Sequence, residues 1–296
     1  MKISIITPCF NVEKTIEQTI LSIIHSKTLN TELIVIDGGS TDRTLQILNK
    51  YKDDIDILVS EKDKGMYHAI NKGINLSSGD VLGWLNADDV YLPWTLKTIE
   101  KIFNEFEEVK WLTGLPGFIN SDGFYTGIRS SPTAYIRKLI SKGWYQNGLL
   151  GHIQQESTFW RKELYSSSDG LDLNLKYAAD YKLWTTFAKQ AELYQLNIPI
   201  AAFRKGQGEQ ISIKFKDIYE KEVSSVNKLN PIIMFIKKLN EKSLVLNAIF
   251  QLFIFGNSNI IGYSQPDSKW KIVKSWQNCS KNSFADLRLA YRLYKL

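Results

Sequence analysis

Along the amino-terminal third of the chain, apolar residues come in short unbroken runs separated by longer stretches in which they recur every three or four positions. Runs of the first kind have the length of buried strands, and stretches of the second kind have the period of amphipathic helices. Lys2 to Pro8 reads as a strand closed by Pro8, followed by a helix from about Glu13 to His25 with Ile16, Ile20, Ile23 and Ile24 on one face. Glu32 to Asp37, Ile55 to Glu61 and Val81 to Leu85 read as three more strands. Helices are predicted after Gly38-Gly39-Ser40-Thr41-Asp42, at Met66 to Asn75 and at Thr95 to Phe106. Strands alternating with helices imply right-handed crossovers, so the predicted class is α/β with a largely parallel, Rossmann-like sheet flanked by helices.

The second half is patterned differently. Lys110 to Arg129 suggests short strands joined by glycine and proline turns, Gln154 to Arg161 is apolar and hydroxyl-rich, Ala178 to Ala191 is helical, and Leu193 to Phe203 suits another strand. The pattern predicts a core over 1–212, with halves 1–109 and 110–212, and a mainly helical, basic appendage over 213–296. In that appendage Leu244 to Phe255 is the longest apolar tract, too short for the roughly twenty residues that cross a bilayer. Phe284, Leu287, Tyr291 and Tyr294 recur at helical spacing beside Arg288, Arg292 and Lys295, which suits either packing on the core or an anionic membrane surface.

Composition narrows the class. The 296 residues are 44% hydrophobic and 12% aromatic, enough for a large core and incompatible with a disordered chain. The two cysteines, Cys9 and Cys279, match no zinc or redox spacing, and no leader-like pattern opens the chain, so a reducing cytoplasm is expected. A net charge of +6 favours anionic partners such as nucleotide diphosphates or lipid surfaces. Nucleic acid is not expected, because no reading helix accompanies the charge. No Gly-x-x-x-x-Gly-Lys-Ser/Thr loop and no Gly-x-Gly-x-x-Gly turn follows the first strand, which argues against P-loop nucleotidases and dinucleotide dehydrogenases.

Candidate chemistry gathers where strands end. Pro8, Asp37, Glu61 and Asn86-Ala87-Asp88-Asp89 all fall at predicted carboxyl ends, the edge at which open α/β sheets bind ligands. Two adjacent carboxylates repel each other, and Mg²⁺ or Mn²⁺ with a diphosphate beyond it would relieve that repulsion. Alternatively, Asp89 caps the following helix and Asp88 is solvated. Lys64, with Lys72 nearby, is a candidate phosphate contact, whereas Asp42 suits a turn or helix cap.

The ordered set Thr7-Pro8-Cys9-Phe10-Asn11, Asp37-Gly38-Gly39-Ser40-Thr41-Asp42, Asp63-Lys64-Gly65-Met66-Tyr67, Asn71-Lys72-Gly73 and Asn86-Ala87-Asp88-Asp89 resembles the family 2 glycosyltransferases. Gln154 to Arg161 and Ala178 to Trp184 resemble acceptor-side segments of members that build bacterial surface polysaccharides. The resemblance implies a GT-A fold, a nucleotide-sugar donor, a divalent metal and inversion at the anomeric carbon. It assigns the base contact to Asp37, the nucleotide pocket to Pro8 and Asn11, and the metal to Asp88, with Asn86 at the first acid of the Asp-x-Asp motif and Asp89 assisting. It makes Asp180 the catalytic base, with Ala179 where the family carries a glutamate. The expected function is transfer of one sugar, from a UDP-sugar, to a saccharide or lipid-linked acceptor at the inner membrane face. The competing expectation is a non-catalytic nucleotide-sugar-binding protein, motivated by Ala179.

Overall fold

The structure, a computed structural model, describes residues 1–128, 135–206, 214–243, 246 and 258–274. The apolar runs of the amino-terminal third form β1 (Ile3–Cys9), β2 (Thr31–Asp37), β3 (Ile57–Ser60) and β4 (Val81–Trp84). β1 and β2 are buried at every position, as expected for strands covered on both faces. Between the four strands run α1 (Ile16–Ser26), α2 (Thr44–Lys50) and α3 (Met66–Leu76), and α1 buries the predicted Ile16, Ile20 and Ile23. β1 lies between β2 and β4, parallel to both, with Ile6 opposite Ile34 on one side and Trp84 on the other.

The chain continues through β5 (Val90–Tyr91), α4 (Thr95–Glu105), β6 (Trp111–Ile119), β7 (Tyr125–Ile128), α5 (Arg137–Ser141), β8 (Thr158–Arg161), α6 (Lys162–Ser166), α7 (Ala179–Gln190) and β9 (Leu193–Arg204). α8 (Lys216–Val226), α9 (Pro231–Lys242), β10 (Asn259–Ser264) and β11 (Lys269–Lys274) follow. The sheet order is β11-β10-β9-β6-β8-β4-β1-β2-β3. β8 runs antiparallel between β4 and β6 and so joins the two halves into one sheet. That junction is tight. A side chain at Gly83 of β4 would meet the Phe159 ring of β8 at 2.8 Å, so only glycine lets the strands pair there.

The carboxyl-terminal region is not only helical. β10 pairs in parallel with β9, β11 closes a hairpin on β10, and Ile261 is fully buried in the core. The reason is the open edge of β9, whose unpaired backbone groups these strands satisfy. Apart from Leu246, the Leu244 to Phe255 tract lies outside the described residues, as does the predicted helix carrying Phe284 to Tyr294. Among the described residues no helix is long and apolar enough to cross a membrane.

Two apolar layers cover the sheet. One packs Ile3, Ile5, Leu33, Val35 and Leu112 against α1 and α4, and the other is built on aromatic rings. In the second, Trp84 stacks on Trp184 at 5.9 Å, Trp184 stacks on Trp111 at 5.8 Å, and Trp160 meets Trp84 edge-on at 5.5 Å. Offset and edge-on pairs add to the stabilisation that burial alone supplies.

At the amino-terminal edge of the sheet a buried acid ties three strands together. Glu32 accepts from Ser4 Oγ at 2.5 Å, Lys2 Nζ at 2.9 Å, and the Ser78 N–H and Oγ at 2.9 and 2.7 Å. Burial raises its carboxyl pKa, but these donors outweigh burial and hold it down at about 2. We expect Glu32→Gln to lower the unfolding free energy by about 1–3 kcal/mol at neutral pH. Because the folded pKa is depressed from 4.5 to about 2, the wild-type advantage is complete above pH 4.5 and fades as pH falls towards 2. Urea denaturation across that range measures it, and a difference that grew on acidification would contradict the assignment.

Candidate active site

The carboxyl ends of β1, β2, β3 and β4 open into one cleft of about 1180 Å³. Its near wall includes Pro8 to Thr15, Gly38, Lys62, Asp63 and Asn86 to Asp88, and its far wall includes Tyr145, Asn147, His152 to Glu156, Asp180, Trp184 and Arg204. The alternation of strands and helices predicts this edge, but only the fold brings the second wall to it.

Asp88 and Asn86 lie in the loop after β4, partly exposed to the cleft. Burial raises the pKa of Asp88, partly offset by its own backbone N–H and by the charge of Arg204. Asn86 Oδ1 is buried without a hydrogen-bond partner among the described residues. An exposed carboxylate edge two residues from an orphaned amide oxygen is a hard-oxygen donor set that suits Mg²⁺ or Mn²⁺. Among the described residues no group of three or more histidine, cysteine, aspartate or glutamate side chains could hold a metal. The remaining ligands of such an ion would therefore be diphosphate oxygens and water, the usual partners of Mg²⁺.

Asp89 is placed differently from expectation. It is 1% exposed, does not line the cleft, and accepts the Arg204 N–H on Oδ1 at 3.0 Å. Nor does it cap α4, which starts six residues later at Thr95. Its carboxylate is an internal tether, too deep to reach a metal beside Asp88. Asp37 is likewise completely buried. Both its oxygens are committed, to Ser40 Oγ at 2.5 Å and to Ser60 Oγ at 2.6 Å, and Gly38 lines the cleft in its place. Asp37 therefore shapes the loop beneath the cleft and does not line it. Lys64 is exposed and outside the lining, while its neighbours Lys62 and Asp63 belong to it. Asp63 Oδ2 lies 2.9 Å from where a Cβ on Gly38 would stand, so its carboxylate fills the place that glycine leaves open. Lys72 is engaged with Glu61.

Pro8 and Asn11 line the cleft. Asn11 adopts φ +51° and accepts the Thr41 N–H on Oδ1 at 2.8 Å, which couples the loops after β1 and β2. Asp42 takes the turn role, accepting the Thr44 N–H at 2.9 Å ahead of α2.

Asp180 sits in the first turn of α7 and faces the cleft. Tyr67 Oη at 3.2 Å and the Tyr181 N–H at 2.8 Å both donate to its Oδ1, and among the described residues no other residue donates to Oδ2. Burial raises its pKa to about 6 against the pull of those two donors. Ala179, in the position of the family's glutamate, is fully buried in the aromatic layer, so it does not face the cleft.

Two site residues were not singled out from the sequence. Glu156, in the 3₁₀ turn ahead of β8, is 4% exposed, lines the cleft, and has Oε1 buried without a partner among the described residues. Burial raises its pKa to about 8, and the charges of Asp88 and Asp180 push the same way. Arg204, at the end of β9, donates through Nε to the Asp88 carbonyl at 2.7 Å, through Nη1 to the Ser121 carbonyl at 2.9 Å, and through Nη2 to Gln18 Oε1 at 2.7 Å. An arginine closing an apolar run and a glutamate opening one are the available sequence signals. Neither reveals its partner.

An α/β fold with a mostly parallel central sheet and flanking helices matches the structures of GT-A glycosyltransferases. S. aureus TarS in complex with UDP-GlcNAc matches with a TM-score of 0.57 at 19% identity, covering 86% of this chain and 74% of that one. Glucosyl-3-phosphoglycerate synthase from Mycobacterium tuberculosis, in complex with Mn²⁺, UDP and phosphoglyceric acid, matches at 0.55 and 20% identity, covering 78% of this chain and 80% of that one. The chain belongs to glycosyl transferase family 2, whose model matches residues 4–153. A PGL/p-HBAD biosynthesis glycosyltransferase of Mycobacterium bovis is 36% identical over 108 residues, a match to 35% of this chain and 42% of that protein's length. An uncharacterized glycosyltransferase of Haemophilus influenzae is 24% identical over 270 residues, covering 86% of this chain and 80% of that one.

Removing the Arg204 guanidinium would leave the Asp88, Asn120 and Ser121 carbonyls and Gln18 Oε1 without their donor and take away the positive charge that acts on Asp88 and Asp89. Arg204→Met should therefore lower the unfolding free energy by about 3–5 kcal/mol, read by chemical denaturation. A loss under about 1 kcal/mol would show that the tether is incidental.

Proposed function

We propose that this chain is an inverting, metal-dependent glycosyltransferase that moves one sugar from a nucleotide sugar, a UDP-sugar first among them, to a saccharide or lipid-linked saccharide acceptor. The observation that carries the reading is that Asp88 and Asp180, from opposite walls, line one cleft. In this reading the nucleotide lies against Pro8, Asn11 and Gly38, with Asp63 in place of Asp37 as the acid nearest the base. The diphosphate lies towards Asp88 and Asn86. A divalent ion held there would supply the positive charge that stabilises the departing diphosphate.

The acceptor hydroxyl enters from the far wall. As its oxygen bonds to the anomeric carbon, the bond from that carbon to the diphosphate oxygen breaks and the hydroxyl proton passes to Asp180 Oδ2. A carboxylate in water is a weak base. Burial of Asp180 brings its pKa to about 6, closer to the pH at which a base is most effective, while Tyr67 and the Tyr181 N–H fix the orientation of the group. The side chain at position 179 packs in the core, so alanine there takes no acid out of the cleft, which supports the catalytic reading over the non-catalytic alternative.

Similar proteins of known structure were solved with UDP-GlcNAc, with UDP and Mn²⁺, and with GDP-Man and Mn²⁺, which supports the donor and metal classes. The net charge of +6 supports an anionic partner, and a lipid-linked acceptor in envelope polysaccharide assembly at the cytoplasmic face of the membrane would supply one.

Calorimetry should show UDP binding that needs Mn²⁺ and is lost in Asp88→Ala. Metal-independent binding of equal strength in both proteins would remove Asp88 from the metal site. Asp180→Asn should reduce transfer by about 10²–10⁴ while UDP binding persists. In the wild type, kcat/KM should rise tenfold per pH unit up to about 6 and then level off, since the base acts deprotonated. Unimpaired transfer by Asp180→Asn would exclude it as the base.

A further inference from the structure

α9 (Pro231–Lys242) begins at Asn230, whose Oδ1 accepts the Ile233 N–H at 2.9 Å, and has proline in its first turn, a well-formed helix start. One face is seated. Ile233 and Asn240 are buried, and Lys237 Nζ donates to Gln146 Oε1 at 2.9 Å. The opposite face carries large apolar side chains where a soluble helix would carry polar ones. Ile232 is 71% exposed, Phe235 63% and Leu239 39%, spaced three and four residues apart so that they form one strip. Lys238 and Lys242 lie exposed beside it, and Lys228 is exposed just ahead of the helix.

An apolar strip flanked by lysines fits the boundary between the headgroups and acyl chains of an anionic bilayer. A second copy of this chain is a poorer match, because a twofold axis on the strip would bring its flanking lysines together. The location also has a meaning for the reaction. α9 rests on the loop that contains Gln146, and that loop supplies Tyr145 and Asn147 to the far, acceptor-side wall of the cleft.

We propose that the outer face of α9 is a membrane-docking surface that lies in an anionic bilayer interface and sets the acceptor side of the cleft close to a lipid-linked acceptor. The inference rests on the glycosyltransferase reading for its purpose but on the exposed strip for its existence.

Co-sedimentation with phosphatidylcholine vesicles, with and without about 30 mol% phosphatidylglycerol, tests it at low and high salt. The wild type should partition onto the anionic vesicles and be released by salt. Ile232→Ser with Phe235→Ser should weaken that partition at least tenfold. Lys238→Gln with Lys242→Gln should weaken it by roughly fivefold per lysine, on anionic vesicles alone. UDP binding with Mn²⁺ should stay within twofold of wild type in both variants, since neither touches the cleft. No partition of the wild type would overturn the proposal, as would partition that both variants retain. A concentration-dependent dimer in sedimentation velocity that Phe235→Ser abolishes would assign the strip to a second copy and overturn it too. Failure of UDP binding in the wild type would instead count against the glycosyltransferase reading and leave the vesicle result standing.

Discussion

The site depends on one buried cation. Arg204 spans the gap between the loop after β4, the turn at Asn120 and Ser121, and Gln18 on α1, and its own backbone N–H holds Asp89. Thr19 Oγ1 on α1 completes the anchorage by donating to the Asp89 carbonyl at 2.8 Å. Burying a guanidinium is costly unless its donors are all used, and here they are spread over three separate segments. Asp89 turns inward to the Arg204 backbone N–H, whereas the neighbouring Asp88 lines the cleft. The adjacent pair thus splits into a structural acid and a cleft acid; the charge of Arg204 lowers the pKa of both, while burial raises both and the charge of Asp88 adds to the rise at Asp89.

Behind the cleft lies a rigid aromatic layer. Trp84 closes β4 just before the acidic loop, Trp184 lies one turn along α7 from Asp180, and the two rings stack. Strand end and helix start are thereby locked to each other, which fixes the relative position of the cleft acid and the proposed base. Gln155 adds a polar link by donating through Nε2 to the Trp84 carbonyl at 2.5 Å. The layer also excludes water from the floor of the cleft. That dryness is the common reason why Asp88, Glu156 and Asp180 all hold their protons more tightly than carboxyls in solution.

The sequence was most legible where structure is local or where a motif travels as a unit. The strands and helices of the amino-terminal third follow from periodicity alone, because each is long enough to show its period and is bounded by glycine, proline or acidic turns. Asp88 and Asp180 could be named because the surrounding motifs recur as blocks. Asp37, Asp89 and Lys64 were named by the same reasoning, yet they stand beneath or beside the cleft. A motif records that a residue matters at a position without saying whether its side chain faces the ligand or supports the loop that does.

Sequence by itself determined the α/β class, the placing of acids at strand ends and the family, since all three depend on patterns within a few tens of residues. Tertiary structure decided which of two adjacent aspartates faces the cleft, that Glu156 joins it, that Arg204 closes it, and that β10 and β11 finish the sheet. Those outcomes depend on contacts between segments far apart in the chain, such as Arg204 with Asp88 and Trp84 with Trp184. Such contacts leave no periodic trace, because burial and pairing are properties of the packed molecule and not of any one stretch of it.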